Sequence, residues 1–377
     1  MFLSAKTPLL AIDIGSHSIK VAQLEGDPGK FELKNFGLIP LEPEAVTEGV
    51  VRDEDLVADA LTRLLAAEKI TNRHAVVSVS GEAVMIKKIK VSVLPEEELA
   101  DAIQEEAEQY IPFDIDDVRI DYQVLEGLPA FEEFDLDEEE EEEKQDILLV
   151  AVQNEIIDSR LGVLAAAGLK PVIVDLDVFA MVNALANSRK VQDLGSVALM
   201  DLGHTFTHLN ILMDGISTFT RDIPVGGAVC TQNLISRFQI EPKDAAAFKY
   251  GVFPEEVEKE EVVNIILDSF DGVIEELHKA FEFFSSTSNS QVEKIFLVGG
   301  GALIPGVDGL IADRMSVPVE VFDPFESIKI PSTFDKKSLA HMAPMSAVAI
   351  GLASRRFDYL ESMKEKNQAK KKEQKVK

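Results

Sequence analysis

Three short stretches carry residues whose types and spacing suit the handling of a phosphorylated ligand. The first is Leu9 to Lys20, LLAIDIGSHSIK. Its apolar run, Leu9 to Ile12, is long enough for a buried strand and too short for a helix. The run ends in Asp13-Ile14-Gly15, bends through Ser16-His17-Ser18 and resumes at Ile19-Lys20, which predicts strand, tight turn and strand. Gly15 lets backbone approach an anion closely, and successive N–H groups and hydroxyls at Ser16 and Ser18 can face it. Asp13 would face a hydrated Mg²⁺, an ion that keeps most of its waters and takes few carboxylates. Asp-x-Gly also closes many ordinary hairpins, so one copy does not separate the two readings.

The chain repeats the pattern. At Val197 to Thr207 stands VALMDLGHTFT: an apolar run, then Asp201-Leu202-Gly203, then His204-Thr205. Two copies about a domain length apart predict two related domains facing each other across a cleft. A third stretch, IFLVGGGA at 295–302, reads as a strand entering three glycines, where backbone could lie flat against a planar ligand beside a helix start.

Composition bounds what these turns can serve. The chain has 377 residues, 46% of them hydrophobic, enough for two domains with sizeable cores. A formal charge of −30 argues against nucleic acid, whose phosphates want basic patches. The single cysteine, Cys230, excludes an internal disulfide framework and suits a reducing compartment; a small core residue behind Gly226-Gly227 is its plain role. MFLSAKTPLL lacks an apolar core of signal-peptide length and no stretch approaches a membrane span, so a cytoplasmic protein is expected. GDPGK at 26–30 lacks the spacing and following hydroxyl of a Walker A loop. No His-x-x-x-His, Cys-x-x-Cys or Gly-x-Ser-x-Gly spacing occurs, so neither a structural zinc nor a nucleophile elbow is indicated.

The elements that must position the turns follow from periodicity. Strands are expected at Val21 to Leu24, Phe31 to Leu38 and Ala75 to Ser80, with a helix over Glu54 to Lys69. From Val84 the pattern reads as a β-α-β-β-α-β insertion: Val84 to Val91, a helix opening at Pro95-Glu96 and ending near Tyr110, Val118 to Leu125, Ile147 to Gln153, a helix over Glu155 to Ala167, and Pro171 to Leu176 closing the unit. Between its middle strands, ten acids lie between Glu132 and Glu143, which predicts a solvated, disordered loop over 131–145. Val178 to Ala186 is a helix joining the domains. In the second domain, strands reach Ile223 through an Asp214-Gly215 hairpin, and helices cover Ala228 to Phe238, Glu241 to Tyr250 and one long span from Glu261 to Phe284. A final helix runs from Met345 to Leu360. The last residues, KEKNQAKKKEQKVK, hold seven lysines and no apolar face for membrane insertion.

AIDIGSHSIK, MDLGHT and LVGGGA resemble the first phosphate, second phosphate and adenosine motifs of the actin and sugar-kinase superfamily. TRDIPVGGAVCTQNL, IFLVGGGALIPGVDGLIADRMSVPVEVFDPF and PMSAVAIGLASRRF narrow this to a resemblance to the type IV pilus assembly protein PilM family, related to the division protein FtsA; it spans about residues 8–358 apart from the acidic stretch. The resemblance implies an α/β, actin-like (ribonuclease H-like) two-domain fold with a small inserted α+β subdomain. Its expected parts are 1–83 with 170–195 and 340–360, the insertion 84–169, the second domain 196–339, and a tail 361–377.

It also implies Mg²⁺-ATP in the cleft. Asp13 and Asp201 would hold water around Mg²⁺, and Gly15, Ser16, Ser18 and Lys20 would contact phosphate. Gly203, Thr205 and Thr207 would meet the phosphates from the other side, with His17 and His204 able to donate ring N–H bonds. Gly226, Gly227 and Gly299, Gly300, Gly301 with Ala302 would frame ribose and adenine, the paired glycines offering free N–H groups. Lys249, in Phe248-Lys249-Tyr250-Gly251, lies either near ribose or on the surface. Asp177 stands where relatives place a residue orienting the attacking water; PilM-like sequences tend to have glutamate there, and the shorter side chain bears on hydrolysis. An N-cap role is its other reading. The implied partners are the cytoplasmic N-terminal segment of PilN, bound between the first domain and its insertion, and other pilus inner-membrane and motor proteins, within a homo-oligomeric ring at the inner face of the membrane. An FtsA-like filament protein and a sugar-kinase-like phosphotransferase are the alternatives.

Overall fold

The computed structural model describes residues 7–125 and 144–357. The lysine-rich tail and most of the acidic run lie outside the described residues; Lys144 and Gln145, expected in the loop, instead open the strand Lys144–Gln153.

Two five-stranded sheets share one plan. In the first, Leu10–Ile14, Ser18–Glu25 and Glu32–Pro40 form an antiparallel meander. On the far side of Leu10–Ile14, His74–Val79 and then Lys170–Leu176 add in parallel. In the second sheet, Ser196–Leu202, Thr207–Met213 and Ile216–Ile223 form the meander, and Lys294–Val298 and Val319–Val321 add in parallel. Strand order is third-second-first-fourth-fifth in both. The repeat seen in the sequence as strand-Asp-x-Gly is therefore a repeat of the whole sheet.

The central strands are covered on both faces, which is why they read as continuous apolar runs rather than alternating ones: all five residues of Leu10–Ile14 are buried. Helix Glu54–Ala67, capped by the Asp53 carboxylate accepting from the Leu56 N–H, lays Val57, Leu61 and Leu64 into the first core. In the second domain the expected single helix is two, Lys259–Asp268 and Asp271–Ser288. At the break, Ser269 Oγ donates to Ile265 O at 2.6 Å and accepts from Asn233 Nδ2 at 2.9 Å, while Phe270 drops into the core. Apolar spacing carries on through this break, so periodicity gives no sign of it. Asp214 and Gly215 both take positive φ, 51° and 82°, as the expected hairpin turn requires.

The insertion is smaller than expected. Its sheet holds Val84–Ser92, Lys144–Gln153 and Val118–Leu125, all antiparallel, with Lys144–Gln153 central. Helix Glu96–Ala107 closes its core through Leu99, Ile103 and Ala107. The helix Asn154–Ala166 and the strand Lys170–Leu176 do not complete this unit. Val163 and Leu164 join the first-domain core instead, and the strand pairs with His74–Val79. The inserted unit is thus β-α-β-β.

The domains are joined by helix Asp177–Ala186, which is crossed by helix Ala347–Ala353. At the crossing, a Cβ on Gly351 would lie 1.8 Å from the Ala180 carbonyl oxygen, so the two backbones touch. The final helix ends at Ala353, short of the expected Leu360, and Arg356–Phe357 pairs with Thr7–Pro8.

Candidate functional site

The two Asp-x-Gly turns face each other. In the first, Gly15 N–H donates to Ser18 O at 3.1 Å and closes the bend. Asp13 is buried and stands opposite Lys20 in the strand register; Lys20 Nζ lies 3.0 Å from Asp13 Oδ2. Burial raises the Asp13 pKa, and Lys20 opposes the rise. In the second turn, Gly203 N–H donates to Phe206 O at 3.0 Å. Burial pushes the Asp201 carboxyl up to about 6, with His208 and Lys20 pulling it down and Asp13 and Asp177 pushing it further up.

Contacts cross the cleft between the turns. Thr205 Oγ1 donates to Ser16 Oγ at 3.0 Å, and the His17 and His204 rings stand 4.9 Å apart. Burial lowers the pKa of both, with Lys249 adding to it, and His204 falls to about 4, so both rings are neutral near pH 7. Each then carries one N–H and one acceptor nitrogen.

The glycine runs pack against the second turn. Gly299 has φ +88°, and a Cβ there would lie 2.1 Å from Asp201 Oδ1. A Cβ on Gly226 would lie 2.6 Å from His204 O, and one on Gly301 would lie 2.2 Å from Leu202 Cγ. Gly300 lies beside the Tyr250 hydroxyl, and Ala302 is buried in the second core.

Several expected site residues are placed differently. The helix Gly227–Phe238 does not present free N–H groups at its start: Gly227 N–H donates to Gly203 O at 2.9 Å and Ala228 N–H to His204 O at 2.7 Å. Those donors bind the second turn to the helix. Thr207 is fully buried and its hydroxyl donates to Val225 O at 2.7 Å, so it props the strand rather than facing the cleft. Lys249 is not a surface lysine. It is buried, with Nζ donating to Gly227 O and Thr231 Oγ1, both at 3.2 Å, and burial lowers its pKa. Asp177 is the first residue of its helix, and the N-cap is Leu176. Its charge bears on Asp13, Asp201 and Lys20.

Sequence reasoning passed over two groups. Arg160, on helix Asn154–Ala166, is buried and donates through Nη2 to the Ile14 carbonyl at 3.2 Å. It sits at helical spacing from Ile156, Ile157, Val163 and Leu164, and a charge within an apolar stripe was the available signal. His208 lies 2.6 Å from Asp222 through Nδ1, and Asp222 also accepts the Gly81 N–H of the first domain at 2.8 Å. Burial alone would lower His208, but Asp222, with Asp177 and Asp201, raises it to about 9.

Beside that link, a cavity of about 320 Å³ opens where the insertion leaves the first domain, lined among others by Gly81, Val84, Ile86, Val178 and Asp222. Its lining comes from the first domain at Gly81, the insertion at Val84 and Ile86, and the second domain at Asp222. Among the described residues, no three His, Cys, Asp or Glu side chains converge to hold a metal directly, and no helix is long and apolar enough to cross a membrane.

Duplicated sheets around a cleft of facing glycine turns define the actin-like fold. The chain belongs to the type IV pilus assembly protein PilM family, whose model matches residues 11–357. It is similar to a chain in the solved PilM-PilN type IV pilus biogenesis complex, 27% identical over 92% of this chain and 98% of that one, with a TM-score of 0.80. The ethanolamine utilization protein EutJ from Carboxydothermus hydrogenoformans shares the fold, at 15% identity, covering 92% of this chain and 89% of that one, with a TM-score of 0.53.

Proposed function

We propose that this pilus-assembly protein binds Mg²⁺-ATP between its two turns, and that the bound nucleotide fixes the relation of the domains and so the shape of the cavity beside the insertion. The observation that carries the reading is the pair of facing turns, touching through Thr205 and Ser16, with a buried carboxylate on each side. The Asp177 charge pushes up the pKa of both Asp13 and Asp201, Asp13 pushes up that of Asp201 as well, and a divalent cation among them would relieve that repulsion. Mg²⁺ suits a site without converging ligands, because it is commonly met through its own waters. The neutral rings of His17 and His204 can each donate to a phosphate oxygen. Asp177, at the helix start, can orient a water, so a slow hydrolysis is compatible with the arrangement; the main role of the nucleotide is conformational. A ligand binding only the closed form stabilises it by roughly 2.7 kcal/mol at a hundredfold excess over its Kd.

The cavity beside Gly81 is the proposed seat for the cytoplasmic N-terminal segment of PilN, by analogy with the complex whose solved chain this one resembles. The protein would then lie at the inner face of the membrane through its partners, in a ring with other pilus inner-membrane and motor proteins. The test is a fluorescence titration of labelled ATP with Mg²⁺ against the wild type and Asp13→Ala, followed by anisotropy of a synthetic PilN N-terminal peptide with and without Mg²⁺-ATP. Expected are ATP binding that Asp13→Ala abolishes and peptide binding that tightens with nucleotide. Absence of ATP binding, or peptide binding indifferent to it, would overturn the reading.

A further inference from the structure

Arg160 occupies the buried face of helix Asn154–Ala166 and is 3% exposed. Its hydrogen bond to the carbonyl of Ile14 sets the guanidinium against the residue between Asp13 and Gly15. Among the described residues, Nε and Nη1 have no hydrogen-bond partner. An arginine stays protonated, and a buried charge with unmade hydrogen bonds is among the costliest arrangements a core can hold. The carboxylates whose charge bears on it are Asp13 and Asp177, both in the cleft. Asp13 is already bonded to Lys20. The first domain therefore brings two cations to its turn: one is neutralised at contact distance, and the other keeps donors to spare.

We propose that Arg160 is a binding residue of the cleft whose spare N–H groups contact the terminal phosphoryl group of a nucleoside triphosphate. The inference rests on the nucleotide reading above. A guanidinium suits this role because its planar donors match phosphate oxygens, and a third phosphate supplies the charge that Asp13 cannot. The consequence is discrimination. The chain holds triphosphate more tightly than diphosphate through Arg160, and the bond to Ile14 couples that recognition to the position of the turn.

The experiment is a titration of labelled ATP and ADP, each with Mg²⁺, against the wild type, Arg160→Gln and Arg160→Lys, with thermal unfolding of all three. Arg160→Gln should weaken ATP by about ten- to hundredfold, the range of a charged hydrogen bond, and ADP by less than about threefold. Arg160→Lys, which keeps the charge without the planar donors, should recover part of the ATP affinity. Should Arg160→Gln fail to fold, the ATP-to-ADP ratio of Arg160→Lys against the wild type decides. Equal weakening of both nucleotides, or an unchanged ratio in a folded variant, would overturn the inference and leave the cleft assignment standing. A wild type that binds neither nucleotide would overturn both.

Discussion

In the first sheet Asp13 stands directly across from Lys20, and in the second Asp201 stands directly across from His208. The backbone frame is the same, but the charges are spent differently. Lys20 reaches straight across to its own aspartate. His208 turns to Asp222 on the neighbouring strand, and Asp222 in turn holds the Gly81 N–H of the other domain. The first turn thus uses its cation locally. The second uses its cation to join the domains and leaves Asp201 at a pKa of about 6. The strand geometry is common to both sheets, and the side chains divide the work between compensating a carboxylate and fastening an interface.

The sharpest way to break the contrast is Lys20→Met. It strands Asp13 without its contact partner, and breaking a buried pair costs about 3–5 kcal/mol. Urea unfolding should show that loss, with most of it restored in Lys20→Met combined with Asp13→Asn. Equal stability of single and double variants would mean that the pair is not what holds the first turn.

Asp222→Asn comes next, at about 1.5–3 kcal/mol for a charge-assisted bond. His208 titrates at about 9 when folded, above its ordinary value near 6.5. Its contribution is complete below pH 6.5 and is lost as the pH rises through about 9. Unfolding free energies at pH 6.5 and 9.5 should therefore fall more in the wild type than in Asp222→Asn. A gap independent of pH would remove the ion-pair account.

Asp201→Asn should act with the opposite sign. A carboxylate raised from 3.8 to about 6 opposes folding once ionised, fully above pH 6 and not at all below its ordinary value. The nucleotide-free variant should gain on the order of 1–2 kcal/mol at pH 7.5 and little at pH 3.5, where the folded carboxyl is neutral and the unfolded one mostly so. A loss at pH 7.5 would show Asp201 to be compensated after all. The smallest effect belongs to Thr207→Val, at about 1 kcal/mol or less for one hydroxyl bond, with ATP affinity unchanged. A large loss of affinity would return Thr207 to the cleft.

Much of this was legible in the sequence because it is written locally. The strands Leu10–Ile14 and Ser196–Leu202, their Asp-x-Gly ends and the Asp214-Gly215 hairpin each announce themselves within a few residues. What was not legible depends on partners distant in the chain. The Gly227 and Ala228 N–H groups look free until the second turn folds back to accept them. The path of Lys170–Leu176 is settled by its pairing with His74–Val79, not by its own pattern, and Lys249 looks solvated until its helix closes over Gly227. Arg160 stood in between: the apolar stripe around it was visible, but the Ile14 carbonyl that receives it was not.

The crossing of Gly351 on Ala180 has a mechanical meaning. Two helices in backbone contact have no layer of side chains between them to shear, so sliding one along the other meets hard repulsion at once. Turning about the point of contact remains open. The crossing is in effect a pivot pin between the helix that joins the domains and the helix laid across it.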